Sequence, residues 1–152
     1  ASLAQLGLPG NSINVEITEG LLLKDASNVK DRLLEYRNAG IEVSIDDFGT
    51  GFSSLSYLKK FDIDYLKIDH SFISNLINNE TDRALVEAII VMAHKLDINT
   101  IAEGVETMEQ QDMLIQFGCD YAQGFYYSEA ISVKEFEKLL VDQQSLDNET
   151  PG

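Results

Sequence analysis

Glu16, the adjacent pair Asp46 and Asp47, Lys67, Glu103 and Gln123 all sit in short apolar stretches that run into turns. Two neighbouring carboxylates repel each other unless a cation, a proton or a basic partner relieves them. Taken singly, each of these residues reads as a solvated acid, an ion-pair partner or a surface amide. Taken together, converging carboxylates without histidine or cysteine describe a site for a hard cation, Mg²⁺ or Mn²⁺. One aspartate bridging two ions about 3.5–4 Å apart would support two-metal hydrolysis of a phosphate ester. Asp46 suits the bridge, and a turn at the strand end could swing Asp47 to the second ion. Lys67 could orient or help deprotonate the attacking water, or stabilise charge in the transition state.

The elements that must carry these residues alternate. Strands are expected at 13–18, 41–48, 65–69, 99–105 and 121–128, each an apolar run with period-two alternation. Between them, helical spacing recurs in Val29, Leu33 and Tyr36 with Ser27 as a cap, and in Ala84, Leu85, Ala88, Ile89 and Met92. A short helix is expected over 53–60 and a turn or two over 72–79. Thr107 with Gln110, and Ser132 with Glu135, have capping-box spacing. Gly118 suits the end of the helix after Thr107. The last helix should turn Phe136, Leu139 and Leu140 inward, and 145–152 reads as a polar, disordered tail.

Alternation of this kind implies a parallel sheet with helices packed on it, either a doubly wound open sheet or a (β/α) barrel. The first usually shows a glycine-rich phosphate loop, and no G-x-G-x-x-G occurs here. Parity supports a shared site: Ile17, Ile45, Leu66, Ile68 and Ala102 flank the polar residues and would face the helices. Glu19 and Glu106, each three residues past a first acid, read as cap or loop-supporting groups. His70, His94 and Cys119 read as structural.

With 152 residues the chain can bury one core. A net charge of −15 argues against a nucleic-acid polymer or an anionic membrane as partner. A single cysteine and two histidines cannot form a zinc cage or an internal disulfide. Without a signal-like start or a run of transmembrane length, a cytoplasmic domain is expected, whether or not a parent protein is membrane-anchored.

The motifs V-E-I-T-E (15–19), S-I-D-D-F-G-T-G-F-S-S-L-S-Y-L (44–58), Y-L-K-I-D (65–69), T-I-A-E-G-V-E-T (100–107) and Y-A-Q-G-F-Y-Y-S (121–128) resemble the EAL-domain cyclic di-GMP phosphodiesterases, in family order over nearly the whole chain. The resemblance implies a TIM-type barrel that hydrolyses cyclic di-GMP to linear pGpG with Mg²⁺ or Mn²⁺. It assigns Glu16 and Asp46 to the first metal, and Asp46, Asp47 and Glu103 to the second. Lys67 is assigned to the catalytic water, with Glu103 also in the catalytic group. Gln123 is placed near the bound nucleotide, and Glu19 steadies the loop after the Asp pair. That loop, roughly 48–54, lies near the family's dimer contact, so a homodimer is expected, with sensor or GGDEF domains upstream in a parent protein.

The signature Glu-Ala-Leu tripeptide and the metal-binding asparagine after it do not occur at their places in this chain. Glu129-Ala130 stands where the family has a basic residue and a proline. The expected entity is therefore a partial barrel: residues 1–144 as the C-terminal five β/α units of an EAL domain, which either associates through its open edge or belongs to a longer protein. A non-hydrolytic cyclic di-GMP receptor or a protein-interaction module is the alternative.

Overall fold

The computed structural model describes residues 3–24, 26–51, 58 and 61–149, with side chains except at 4, 22–28 and 142–149. Five strands form one sheet: β1 (Asn14–Thr18), β2 (Glu42–Phe48), β3 (Tyr65–Ile68), β4 (Asn99–Glu103) and β5 (Tyr121–Gln123). They lie side by side in chain order and every neighbouring pair is parallel. A doubly wound sheet reverses its strand order midway, whereas a barrel adds each strand beside the last. The observed order is the barrel's. Helices α1 (Leu3–Leu6), α2 (Glu19–Lys24), α3 (Ala26–Asn38), α4 (His70–Asn75), α5 (Glu80–Lys95), α6 (Met108–Phe117) and α7 (Val133–Glu149), with a 3₁₀ turn at Gly10–Ser12, complete the described elements.

Strand parity separates the two faces. Val43, Ile45, Leu66, Ile68 and Ala102 are buried on one side with Ile73, Leu76, Val86, Ile90, Ala93 and Leu114 of the helices and their flanking turns. Each valine, leucine or isoleucine side chain buried in this way contributes about 1.5–3 kcal/mol. The other face carries Glu16, Asp46, Lys67, Glu103 and Gln123.

Several boundaries differ from expectation. Ser27 lies inside α3, not before it, and α2 begins directly at Glu19. The expected helix over 53–60 lies outside the described residues except at Leu58. Strand β5 stops at Gln123, not Ser128, because the backbone turns at Gly124. A Cβ at Gly124 would stand 2.1 Å from the Val105 carbonyl oxygen. Val105 N–H donates to the Gln123 carbonyl (3.1 Å) and Tyr126 N–H to that of Val105 (3.0 Å), tying the ends of β4 and β5 together. The Thr107–Gln110 capping box forms as expected, and Gly118 closes α6 in the left-handed region.

The last helix corrects two expectations. It continues to Glu149, past Ser145, in a stretch with no glycine or proline to stop it. Phe136, Leu139 and Leu140 are not turned into a core but are each more than 40% exposed. Amphipathic spacing marks an apolar face without supplying what covers it.

At the opposite end from the acids, Asp120 ties three elements. Its Oδ2 accepts from Thr100 N (2.8 Å) and Thr100 Oγ1 (2.8 Å) and lies 2.9 Å from His94 Nε2. Desolvation pushes this carboxyl up, but the hydrogen bonds from His94 and Thr100 outweigh it and hold it below its ordinary 3.8. Asp120→Ala should cost about 1–3 kcal/mol in urea unfolding at neutral pH, because the Thr100 N–H loses its partner. A folded-state value below the unfolded one gives stability that is complete above the unfolded value and lost as pH falls through the folded one. The difference between wild type and variant should therefore narrow below about pH 4.

Candidate active site

The carboxyl ends of β1 to β4 and the amide at the end of β5 converge, and Lys67 is at their centre. Its Nζ lies 2.8 Å from Glu16 Oε1, 3.0 Å from Asp46 Oδ1 and 2.8 Å from Glu103 Oε1. The lysine side chain is only 6% exposed. Burial alone would lower its pKa, but the carboxylates of Glu103, Glu16 and Asp46 overcome this and hold it far above the usual lysine range. Lys67 is thus a firm ammonium here. Glu103 is pushed upward by desolvation, partly opposed by Lys67, and further raised by Asp46 and Glu16.

Strand alternation alone would send Asp46 and Asp47 to opposite faces. The sheet avoids this with a bulge. Ile45 pairs with Leu66 and Phe48 with Ile68, so Asp46 and Asp47 together stand opposite Lys67. One extra residue in β2 keeps both acids at the site and returns Phe48 to the core, where it is 4% exposed. Asp47 takes up the extra length at φ +54°, a left-handed conformation that aspartate tolerates better than most residues. One ligand oxygen from each of Asp46, Asp47 and Glu103 can be drawn from a set lying within 4.8 Å of one another.

The surroundings brace this cluster. Gln123 Nε2 donates to Glu103 Oε1 at 2.7 Å, across the β4–β5 register pair. Glu19 is buried in the first turn of α2, and its Oε2 accepts from Gly49 N–H at 3.4 Å, beneath the turn after the Asp pair. A Cβ at Gly51 would come within 3.3 Å of the same oxygen. The remainder of that loop, from 52 on, lies outside the described residues. Gln110, read from sequence only as half of a capping box, does more. Its Oε1 accepts from Glu106 N (2.8 Å) and Thr107 N (3.0 Å), while Nε2 donates to the Ile73 carbonyl (3.0 Å). It thereby fixes the turn after Glu103 to α4, which follows Lys67. Its nearly complete burial had no signal in the sequence. Glu106 contributes this backbone N–H and is itself exposed. His94 serves the Asp120 tie, and Cys119 is half-buried with its thiol pushed up by desolvation.

The donor set fits a hard divalent cation. All the candidate ligands are carboxylate oxygens, and Asp46 Oδ1 is buried without a well-directed hydrogen bond, leaving acceptor capacity facing the cluster.

A parallel sheet wound in chain order, with acids and a lysine at its carboxyl end, defines the class as a TIM-type barrel domain. The EAL domain profile matches residues 1–130. The chain belongs to the EAL domain family. It is 38% identical over 139 residues to the cyclic di-GMP phosphodiesterase NbdA of Pseudomonas aeruginosa, covering 91% of this chain and 18% of NbdA. The crystal structure of the EAL domain of Mycobacterium smegmatis DcpA superposes with a TM-score of 0.86 at 41% identity, covering 92% of this chain and 63% of that one. A manganese/cyclic di-GMP complex of Klebsiella pneumoniae BlrP1 gives a TM-score of 0.76 at 33% identity, over 82% of this chain and 32% of that one.

The bulge yields a test that separates strain from charge. Asp47→Gly should leave unfolding stability within about 0.5 kcal/mol of wild type, while Asp47→Val should cost about 1–3 kcal/mol. Equal losses in urea denaturation would show that the positive φ is not what Asp47 supplies.

Proposed function

We propose that this chain carries the larger part of a metal-dependent phosphodiesterase site that hydrolyses cyclic di-GMP to linear pGpG. The observation that supports it best is the convergence of Glu16, Asp46 and Glu103 on Lys67, with Asp47 brought alongside by the bulge. Relatives named for this activity and this ligand make cyclic di-GMP the substrate of choice. Because the chain spans only 18% of NbdA, the activity, substrate and partners of any longer protein belong to the proposal too.

Glu16, Asp46, Asp47 and Glu103 would hold Mg²⁺ or Mn²⁺. Bound ions supply Lewis acidity and lower the pKa of a ligated water. The chain's own groups do the rest. Lys67, fixed by three carboxylates, presents a positive charge where negative charge develops during phosphate-ester cleavage. Gln123 fixes the Glu103 carboxylate beside the nucleotide site. Glu19 holds the turn after Asp47 and acts only through it. The metals also answer the charge problem, since a chain of net charge −15 would otherwise repel an anionic diester. Among the described residues no helix is long and apolar enough to cross a membrane. The cytoplasmic location and the homodimer that the family resemblance implies belong to the proposal.

The test is formation of pGpG from cyclic di-GMP with Mn²⁺, followed by liquid chromatography, on this chain and on any longer chain that contains it. Asp46→Asn should lower turnover at least about a hundredfold, by removing a charge from the metal-binding set. Glu19→Ala should cost less and should act through kcat. Cyclic di-GMP binding by calorimetry without turnover in the longer chain would identify a receptor and overturn the hydrolytic reading.

A further inference from the structure

Lys67 occupies the same carboxylates that a metal would use. Its Nζ approaches Asp46 Oδ1 and Glu103 Oε1, and those two residues are also two of the three whose oxygens can gather around one ion. The third, Asp47, has no ion pair among the described residues. Glu16, Asp46, Asp47 and Glu103 set four negative charges against one positive charge, so the cluster keeps three in excess.

An ammonium meets each oxygen at hydrogen-bond distance, whereas Mg²⁺ requires six oxygens at about 2.0–2.1 Å in near-octahedral geometry. The two kinds of cation cannot draw on the same oxygen lone pairs at full strength. Glu103 Oε1 is already shared between Lys67 and Gln123. A lysine is a compact point charge on a flexible four-carbon stem, and can retreat where an arginine's planar fork could not.

We propose that Lys67 is a resident counter-cation that competes with divalent metal for Asp46 and Glu103, so that its positive charge sets metal affinity. The inference rests on the hard-cation reading of the site but not on the reaction. Metal entry loosens the Lys67 contacts to Asp46 and Glu103. The same ammonium that holds three of the four acids together thus keeps them from binding metal too tightly and becomes free to meet another anion once metal is bound.

The test is Mn²⁺ titration of the chain without nucleotide, following loss of the free-ion signal by electron paramagnetic resonance. Lys67→Met should bind Mn²⁺ at least about tenfold more tightly than wild type, equivalent to about 1.4 kcal/mol. Lys67→Arg, which keeps the charge but cannot retreat as a lysine can, should bind Mn²⁺ no more tightly than wild type, and tighter binding by it would also overturn the proposal. Lys134→Met, which removes a charge on exposed α7, should leave affinity unchanged.

If Lys67→Met loses its helical circular dichroism without metal, Mn²⁺ should restore it, since the ion then supplies the missing positive charge. Binding by Lys67→Met no tighter than wild type, no binding by either, or an equal gain in Lys134→Met overturns the proposal, as does an unfolded Lys67→Met that Mn²⁺ does not restore. Failure of the hydrolytic reading would look different: absent pGpG with the Mn²⁺ affinities still ordered as expected.

Discussion

The structure depends on a single buried ammonium. Four carboxylates gathered at one end of a sheet repel one another, and at 4 Å and an effective dielectric constant near 20 each like-charged pair costs on the order of 4 kcal/mol. That is comparable to a large part of a domain's whole stability of about 5–15 kcal/mol. Lys67 offsets the repulsion by reaching Glu16, Asp46 and Glu103 at once. Its own desolvation would be unaffordable with one partner, and three make it sustainable. The rest of the molecule keeps that lysine and those acids at one level of neighbouring strands.

Site and core are kept apart by strand parity, and the costs collect on the site's side. On the helix-facing surface, Ile45, Leu66, Ile68 and Ala102 are fully buried and fully apolar. On the other surface, Asp47 adopts a left-handed conformation, β2 carries an extra residue, and Asp46 Oδ1 lacks a well-directed hydrogen bond. Glu19 adds a buried Oε1 with no hydrogen-bond partner among the described residues beneath the turn. Strain and unsatisfied charge concentrated in one place, against a regular core, are what a binding site requires of a fold that must still be stable.

This division also explains what could be read from the sequence. The alternation of strands and helices follows from hydrophobic period, and the site-facing residues follow from parity, because both are local. The bulge is not local: whether Asp47 lies beside Asp46 or behind it depends on pairing with Leu66 and Ile68, some twenty residues on. The three contacts of Lys67 and the reach of Gln110 to Ile73 are likewise tertiary. Residues beyond Gln123 look strand-like in Tyr126 and Tyr127, and only the close meeting of Gly124 with the Val105 backbone ends β5. The spacing of Phe136, Leu139 and Leu140 marks one face of α7 but cannot name its neighbour, so burial was expected where exposure is found.

Four registered strand pairs are enough to set the site. Thr18 with Asp46 places β1 against β2, and the bulge sets β2 against Lys67. Lys67 with Ile101 and Glu103 with Gln123 then fix β3, β4 and β5 in turn. Each of these pairs lies within the five strands described, and the core that holds them lies between sheet and helices, not inside the sheet's curve. Among the described residues, β1 and β5 are edges, and the surface within the curve presents Asn14, Glu16 and Tyr65, with the buried Ser44 hydroxyl donating to Asn14 Oδ1 at 2.6 Å. The positions of the acids therefore do not need the sheet to close. Closure would instead change what surrounds them: fewer waters, a lower local dielectric and stronger electrostatic coupling between Lys67 and its carboxylates.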